Sequence, residues 1–592
     1  MGDGAGYSLR MASAAVIEEV SEAQTSAIAG ARRWWFALAS VVVLALGALE
    51  GWYGRTDSGD VYGSDGVQYL DVARAFERGD FKSALNPLWS QGYPALLAIV
   101  RPLFGAGPDG DWAATRWLNL AVFCFSWACF AWFVRTLLKR RERTGLVWIG
   151  AVCVFVAAQI CLDQVSRVGP DQLVAGLFFL VCGLILRLTK RPSVGLGAVL
   201  GLALGVGFLV KAVFLPLGCV VLAVTAAAAW LGRRRVRETA IAAGVFAVIV
   251  LGYGVALSRA VGKPTLGESG SLNYAWHVDR LAKWVHWEGG NDSAAKAWPQ
   301  PWIARFARWE SDPPDFGMPL HPSVRVGSAP TIYQFHAPVQ ATYAPYYDPA
   351  YWYQGYKHVV RWRYQAVALG KSVGDLALVL AKQPLFWAFG LVSLWSRRRV
   401  WRELRAVWPV VAIAVLGVMI YLPVHLEGRY LSGFLAVIGA VLLTGLSTLP
   451  RRRLTIVMAL LVAGFGVGLA KDQAGIWVRA VHAWSPRENA EWRAANGVRA
   501  LGLPSGSQVG VIAWTPNLHC DWAYMSELQI TSEIASPADE AAFWRLPADG
   551  QARVLGEFRD AGAKAIFTWD KPRILPAGWQ QVAGAPMWFL RF

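Results

Sequence analysis

The stretch RVGPDQLVAGLFFLVCGLILRLTKR, residues 167–191, contains a long apolar run with cations at both ends. A mostly apolar run from Asp171 to Leu188 is long enough to cross about 30 Å of hydrocarbon as a helix. A single cation, Arg167, precedes the run, and the pair Lys190-Arg191 follows it. One end therefore carries a lone charge and the other end carries a cluster.

The same arrangement repeats from Trp34 to about Ala470. Nineteen Lys and Arg residues cluster at every second junction between apolar runs, at 32–33, 139–143, 190–191, 233–237, 397–402 and 451–453. The short loops between them carry one cation each: Arg167, Lys211 and Arg429. The positive-inside rule places the clusters in the cytoplasm. The three lone cations on the opposite face do not set topology, so each needs another explanation.

Composition excludes two broad classes of protein. The chain has 592 residues, of which 55% are hydrophobic, and a soluble multidomain enzyme would not show this content. A net charge of +17 would suggest nucleic acid in a soluble protein. Here much of it lies in the cytoplasmic clusters, which face anionic lipid head groups, so we expect no nucleic-acid partner. The seven cysteines form no CxxC pair, and no zinc site or disulfide framework is indicated.

The apolar runs predict an α-helical polytopic membrane protein with a cytoplasmic N-terminus. Eleven spans are expected, at about 34–50, 112–136, 146–163, 171–188, 194–210, 212–231, 239–257, 374–395, 407–424, 429–448 and 454–471. The odd number places the C-terminus outside. The predicted domains are a disordered cytoplasmic tail at 1–33, a membrane domain at 34–471 with extracytoplasmic loops 51–111 and 258–373, and an extracytoplasmic domain at 472–592.

The extracytoplasmic regions have patterns of their own. The apolar positions between Val67 and Arg78 predict an amphipathic helix in the membrane interface, with Asp71 on its polar face. The aromatic run 343–356 is typical of an interfacial belt or of stacking surfaces for sugar or lipid. Strands at 508–514 and 563–569 with a helix at 551–561 predict a small α/β domain, which we interpret as a docking or capping domain.

Acids at a membrane boundary are costly, so each is a candidate for function. Asp60 and Asp65 follow the first span, and Asp171 opens the fourth on the same face. The simpler interpretation of Asp65 and Asp171 is that each caps a helix. A carboxylate held by backbone donors can also be a base, and two carboxylates from different loops can converge on one cavity.

Two cations and a further acid occupy the remaining outer loops. Lys211 interrupts an apolar run, where snorkelling or a lipid phosphate would account for it. Arg429 offers a planar fork suited to phosphate, although a surface pair with Glu427 is the simpler interpretation. The GxxxG from Gly201 to Gly205 indicates close helix packing.

Several strings resemble motifs of the GT-C superfamily of membrane glycosyltransferases, in the branch of protein mannosyltransferases and bacterial aminoarabinose transferases. The similar strings are Ser64-Asp65-Gly-Val-Gln-Tyr69, Asn86-Pro-Leu-Trp-Ser-Gln-Gly-Tyr93-Pro94, Gly169-Pro-Asp171, Leu209-Val-Lys211 and Glu427-Gly-Arg429-Tyr430. They occur in the expected order, on one face, within residues 34–470. Gly66 stands where many of these enzymes carry a second acid. The resemblance therefore leaves two possibilities open, that the protein uses no cofactor or that it uses a divalent metal ion.

The resemblance implies transfer of a sugar from a polyprenyl-phosphate donor to an extracytoplasmic hydroxyl of a glycan, lipid or protein, with inversion at the anomeric carbon. It implies catalytic roles for Asp65 and Asp171, with Asp65 as general base. Lys211 and Arg429 would bind the donor phosphate. The supporting residues would be Asp60, Tyr69, Glu427 and Tyr430. The alternatives are a transporter or flippase of a polyprenyl-linked glycan, which would normally show internal repeats, and a non-catalytic envelope scaffold.

Overall fold

The computed structural model describes residues 34–54, 61–138, 144–232, 236–279, 323–335, 340–351, 360–383, 385, 390, 397–482, 484–485, 489–512, 520–534, 536–569 and 576–592. The predicted tail at 1–33 and the candidate Asp60 lie outside these residues. The described chain is mainly helical, and a single sheet is assembled from its second half.

The described residues from Trp34 to Val261 form ten α-helices. They are α1 (Trp34–Tyr53), α2 (Ser64–Glu77), α3 (Phe81–Ala84), α4 (Gly92–Val100), α5 (Pro108–Leu137), α6 (Thr144–Val156), α7 (Asp171–Lys190), α8 (Val194–Val210), α9 (Phe214–Leu231) and α10 (Arg237–Val261).

The second half alternates helices with short strands. Its helices are α11 (Ser269–His277), α12 (Ala344–Tyr347), α13 (Trp362–Lys382), α14 (Arg397–Ala406), α15 (Trp408–Tyr421), α16 (Gly428–Leu446), α17 (Arg451–Val481), α18 (Ala490–Ala500), α19 (Asp521–Met525), α20 (Pro537–Arg545) and α21 (Ala548–Asp560). Its strands are β1 (Val324–Ser328), β2 (Thr331–Gln334), β3 (Gln508–Ile512), β4 (Gln529–Ile534), β5 (Ala565–Thr568), β6 (Gln580–Gln581) and β7 (Trp588–Arg591).

Seven described helices are long and apolar enough to cross a membrane: α1, α5, α7, α9, α10, α16 and the part of α17 up to Lys471. Each coincides with a predicted span. Shorter apolar helices cover the predicted third, fifth and ninth spans. The predicted eighth span, 374–395, overlaps the end of α13 and then lies largely outside the described residues. The polytopic helical fold is confirmed, and the count of eleven stays a prediction.

Burial separates central helices from lipid-facing ones. The most apolar window is 83% buried in α7 and 78% buried in α16, against 28% in α1, α10 and α17. The central pair meets through the rings of Phe178 and Phe434, whose centroids are 4.7 Å apart. Along α8, a Cβ at Gly197 or Gly201 would overlap backbone oxygens of α10, so the glycines allow the close packing that the GxxxG pattern predicts.

The sheet combines two parts of the chain that are far apart in sequence. Its order is β1-β2-β4-β3-β5-β7-β6, with β3 parallel to both β4 and β5. The strands β3 and β5 and the helix α21 match the predicted α/β elements. Strands β1 and β2 come from the loop 258–373 and pair antiparallel with each other, and β2 also pairs antiparallel with β4. The second outer loop and the C-terminal region therefore share one sheet.

The helix α2 differs from its prediction as an interfacial amphipathic helix. Its supposed polar face is covered, because Asp71 is 3% exposed and accepts hydrogen bonds from the backbone N–H and the hydroxyl of Thr342, at 2.8 and 3.1 Å. Arg74 lies over the ring of Tyr524 and contacts Asp111 at 3.3 Å. The sequence could not reveal these partners, since all three come from distant parts of the chain.

Topology gives the first testable prediction, which rests on the distribution of cations. A reporter fused after Arg453 should lie in the cytoplasm, and one fused at Phe592 should lie outside, because α17 connects the last basic cluster to the sheet-containing region. Protease protection and alkaline phosphatase fusions measure both positions. Finding both reporters on the same side would contradict the predicted topology.

Asp71 gives a prediction about stability and pH. Burial raises the pKa of Asp71 to about 6, against the opposing effects of Arg74 and the Thr342 hydrogen bonds. The folded pKa lies above the unfolded value of about 3.9, so the contribution to stability is present below about pH 4 and is lost as the pH rises through about 6. Asp71→Asn should flatten the pH dependence of the thermal midpoint between pH 4 and 7, whereas Asp109→Asn, on an exposed residue, should leave it unchanged. Parallel curves for Asp71→Asn and the unchanged chain would contradict this.

Candidate active site

The candidate site is a cavity of about 460 Å³ where the ends of α2, α7, α8, α11 and α16 meet. Seven of the eight residues predicted from the sequence line it: Asp65, Tyr69, Asp171, Lys211, Glu427, Arg429 and Tyr430. The eighth, Asp60, lies outside the described residues. Residues separated by more than 360 positions in the chain therefore share one cavity, as the hypothesis of convergent outer loops requires.

Asp65 lies in the first turn of α2, where the free N–H groups of a helix favour a carboxylate. The chain enters this turn through Gly63, whose φ of 76° is a conformation that favours glycine. One carboxylate oxygen of Asp65 accepts a hydrogen bond from the Tyr346 hydroxyl at 2.8 Å. The other lies 3.3 Å from Nη2 of Arg429. Asp65 is thus both a helix-terminal acid and a cavity residue, with about a third of its side chain exposed.

Asp171 and Lys211 form an ion pair across the cavity wall. Asp171 is the first residue of α7, after Pro170, and is 5% exposed. Lys211 directly follows α8, and its ammonium group donates to Oδ1 of Asp171. The same Nζ lies 4.2 Å from the centre of the Tyr430 ring, within the range of a cation–π contact. The cation that interrupts the apolar run therefore has an acid and an aromatic partner.

Arg429 connects the acidic residues of the cavity. Its Nε donates to Glu427 at 2.6 Å, and its terminal nitrogens lie 3.3 Å from Asp65 and 3.8 Å from Asp171. The side chain is 15% exposed. The predicted Glu427–Arg429 pair is present, but the guanidinium also reaches two other acids. It is therefore a component of the cavity and more than one half of a surface pair.

Glu427 is held between two basic groups. Its carboxylate contacts Nε2 of His425 at 3.0 Å on one side and Arg429 on the other. Burial alone would raise the pKa of Glu427, but the His425 hydrogen bond and the Arg429 charge lower it below its ordinary value. The ring of His425 stacks on His277 of α11, with centroids 3.8 Å apart. Glu427 is therefore ionised and orients Arg429.

Aromatic rings form much of the remaining wall. Tyr69 is buried and meets Trp89 and Tyr93 edge to face, at 5.2 and 5.7 Å between centroids. Burial and the nearby charges of Asp65 and Asp171 raise the pKa of Tyr69 well above its ordinary value. Tyr430 stacks on Tyr421 at 5.0 Å. The hydroxyl of Tyr69 therefore stays protonated, and the side chain is positioned to form a wall of the cavity.

The lining residues that were not predicted from the sequence include Tyr346, Trp276 and His277. All three come from the predicted loop 258–373. Tyr346 falls in the aromatic run 343–356, for which a stacking surface was one of the two interpretations. That aromatic run is the sequence feature that could have identified Tyr346. Burial and the charge of Asp65 raise the pKa of Tyr346 well above its ordinary value, and its hydroxyl remains a donor to Asp65.

A narrow cleft continues from the charged cavity into the helix bundle. It shares Asp171, Arg429 and Tyr430 with the cavity, and beyond them it is lined by apolar side chains of α7, α9 and α16 such as Phe178, Leu217 and Phe434. The site is therefore polar on the side of the outer loops and apolar on the side of the membrane.

Charge balance constrains what can bind. Among the described lining residues, the acids Asp65, Asp171 and Glu427 are matched by three cations, Arg167, Lys211 and Arg429. An anion must therefore compete with carboxylates for the cations. No group of three or more His, Cys, Asp or Glu side chains among the described residues could hold a metal ion.

Comparison by structure identifies similar folds, although no family model and no curated protein matches the chain by sequence. ArnT from Cupriavidus metallidurans bound to undecaprenyl phosphate is 14% identical, with 95% of this chain and 97% of ArnT covered and a TM-score of 0.52. The apo state of the same protein gives 13% identity, 91% and 93% coverage and a TM-score of 0.48.

An oligosaccharyltransferase from Archaeoglobus fulgidus, tethered with an acceptor peptide, is 12% identical, with 89% of this chain and 68% of that chain covered and a TM-score of 0.46. The fold assignment rests on the first alignment, since the other two have TM-scores below 0.5. At this identity the likeness concerns the fold alone. The chain has the fold of ArnT, and the fold that the sequence resemblance implies is confirmed.

Proposed function

We propose that this chain is a membrane glycosyltransferase that moves a sugar from a polyprenyl-phosphate donor to an extracytoplasmic hydroxyl. The observation that carries the proposal is the convergence of Asp65, Asp171, Lys211 and Arg429 in one cavity, above an apolar cleft. A polyprenyl-phosphate sugar needs this combination, because its phosphate must stay at the interface while its chain lies among helices. The fold supports the proposal, since ArnT has been solved bound to undecaprenyl phosphate.

The donor phosphate is placed against Lys211 and Arg429. Both cations reach Asp171, and both lie over the ring of Tyr430, at 4.2 and 5.0 Å from its centre. A phosphate between them would exchange carboxylate contacts for its own oxygens, and the guanidinium fork suits two of those oxygens. The free volume of the cleft is about 10 Å³, so the first isoprene units would have to widen it beside Phe178 and Phe434.

Asp65 is the proposed general base. In the proposed reaction, the acceptor oxygen forms a bond to the anomeric carbon while the bond from that carbon to the phosphate oxygen breaks. The hydroxyl proton passes to Asp65, and the electron pair leaves with the polyprenyl phosphate, whose charge Lys211 and Arg429 stabilise. When Arg429 turns towards the phosphate, its contact with Asp65 weakens and the carboxylate becomes more basic. A single displacement of this kind inverts the anomeric centre.

The remaining residues are assigned positioning roles. Tyr346 donates to Oδ1 of Asp65, and Oδ2, which Arg429 contacts at 3.3 Å, would take the acceptor proton once Arg429 turns to the phosphate. Glu427 fixes Arg429 through Nε, while Tyr69 and Tyr430 provide rigid walls. Asp171 holds Lys211 until the donor arrives. Asp60 stays a proposed supporting residue, on its sequence position alone.

The proposal includes a location and partners. The protein is placed in the inner (plasma) membrane with its N-terminus in the cytoplasm and its C-terminal domain outside, where the acceptor would be a glycan, a lipid or a protein. The sheet region lies close to the site, because Tyr62, which lines the cavity, donates from its backbone N–H to Asp521 at 2.8 Å. This contact supports the proposed docking or capping role of that domain.

Lipid binding provides the direct test of the donor site. Full-length protein in detergent should bind undecaprenyl phosphate in preference to undecaprenol, which has the same chain without the phosphate. Native mass spectrometry or scintillation proximity with labelled lipid measures the preference, and adding EDTA or Mg²⁺ shows whether a divalent ion contributes. Equal binding of the two lipids would refute a phosphate site.

A further inference from the structure

A second cavity, of about 210 Å³, lies at the other end of the membrane helices. The helix α7 runs from Asp171 at the candidate active site to Lys190 beside this cavity. The end of α9 and the beginnings of α10 and α15 complete its wall. By the distribution of Lys and Arg, this end faces the cytoplasm. The two cavities therefore belong to opposite leaflets of the bilayer.

The second cavity contains a buried carboxylate. Glu238 is 7% exposed and lines the cavity, together with the buried hydroxyl residues Thr225 and Thr239. Its ion-pair partner among the described residues is Arg237, 3.6 Å away, whose side chain is 60% exposed. The first turn of a helix favours an acid, which accounts for its position in α10. It does not account for burial of the acid against a cavity, because buried charges are normally compensated by close partners.

The exposed tryptophans near this cavity place it at the level of the lipid head groups. Trp408 lines the cavity and is 37% exposed, and Trp230, which follows the lining residue Ala229, is 74% exposed. Exposed tryptophans are typical of the boundary between hydrocarbon and water. Most of the other lining residues are apolar, such as Ile185 and Val410. A ligand here would join a polar group at the interface to an apolar body, as a phospholipid does.

The charges specify which head group fits. Glu238 and the threonine hydroxyls offer acceptors for the three N–H donors of a primary ammonium, and Thr225 uses its own hydrogen on the carbonyl of Val221, at 2.7 Å. Arg237, exposed beside them, can donate to a phosphate. We propose that this cavity binds the head group of phosphatidylethanolamine, with the ammonium on Glu238 and the phosphate on Arg237. A choline head group has no N–H to donate, and phosphatidylglycerol has no cation.

Lipid selectivity tests this assignment independently of sugar transfer. Full-length protein in detergent is titrated with phosphatidylethanolamine, phosphatidylcholine and phosphatidylglycerol of identical acyl chains, and bound lipid is counted by native mass spectrometry. Phosphatidylethanolamine should bind at least about tenfold more tightly than either of the others. Glu238→Gln should remove most of this tenfold preference, because the charge-assisted hydrogen bond to the ammonium is lost.

Two further variants separate the charges. Arg237→Gln should weaken the binding of phosphatidylethanolamine and of phosphatidylcholine by similar factors, since both lipids carry the phosphate. Glu403→Gln in α14 removes an acid that does not line the cavity, at the same end of the bundle, and should leave the preference intact.

Equal affinity of the unchanged protein for phosphatidylethanolamine and phosphatidylcholine would overturn the proposal, as would tighter binding of phosphatidylglycerol. So would a folded Glu238→Gln variant that keeps the tenfold preference. The comparison of lipids needs no variant, so the test stands even if Glu238→Gln fails to fold.

Discussion

Asp65→Asn is expected to reduce sugar transfer by at least about a hundredfold, the lower end of what a positioned general base contributes. The amide can still accept the Tyr346 hydrogen bond and occupy the first turn of α2, so the protein should fold. It cannot take a proton from the acceptor. Turnover of a polyprenyl-phosphate sugar by purified protein, with the thermal midpoint measured in parallel, tests both expectations.

The control for Asp65→Asn is Asp80→Asn, the same substitution in the same outer loop. Asp80 caps α3 by accepting from the backbone N–H of Ser83, a bond that asparagine retains, and it does not line the cavity. Asp80→Asn should therefore keep full activity. Near-normal turnover of Asp65→Asn would transfer the role of base to Asp60 or Asp171.

Removal of Lys211 and removal of Arg429 should each reduce kcat/KM for the donor by about 30- to 1,000-fold. This corresponds to a loss of roughly 2–4 kcal/mol of transition-state stabilisation. The two side chains share Asp171 and Tyr430, so they are not independent. The Lys211→Gln, Arg429→Gln double variant should therefore lose less than the sum of the single losses. Lys211→Arg and Arg429→Lys should restore little, because a point charge and a planar fork fit different oxygens.

Stability must be separated from catalysis in these variants. Lys211→Gln leaves Asp171, which is 5% exposed, with the longer 3.8 Å contact to Arg429, and a buried acid that loses its close cation destabilises the fold. Adding Asp171→Asn to Lys211→Gln should restore the thermal midpoint without restoring donor use. Lys82→Gln, on an exposed residue of α3, is the control for loss of a positive charge. Strict additivity, with acceptor affinity lost in place of donor affinity, would show that the two cations serve separate sites.

The sequence predicted the features that depend on local pattern. The lone cations Lys211 and Arg429 stood out because the positive-inside rule left them unexplained, and the structure places both in the cavity. Pro170 followed by Asp171 marked the start of α7, and the spacing of Gly201 and Gly205 marked close packing with α10. Each of these signals is contained within a few residues.

Features that depend on distant partners were not predictable in this way. The polar face of α2 looked solvent-exposed, yet Asp71 contacts Thr342, which lies 271 residues further along the chain. Tyr346 reaches Asp65 across 281 residues, and no periodicity in either segment shows it. Strands β1 and β2 are too short to stand out from an aromatic loop, and they form a hairpin that joins the sheet through the pairing of β2 with β4.

The ion pairs change how the lone cations are understood. From the sequence, Lys211 and Arg429 were cations in need of a ligand, but the structure supplies each with a carboxylate. A donor phosphate must therefore displace existing contacts, which couples its binding to the state of Asp65. This coupling follows from the three-way position of Arg429 among Asp65, Asp171 and Glu427.

The most direct test of the central claim is turnover by the purified protein with synthetic polyprenyl-phosphate sugars. Release of free polyprenyl phosphate is followed by thin-layer chromatography, and the anomeric configuration of the product by NMR. We expect release that depends on both acceptor and protein, an inverted anomeric centre, and loss of both signals in Asp65→Asn. Translocation of the intact lipid-linked sugar across vesicles, with no release of polyprenyl phosphate from any donor, would contradict the account.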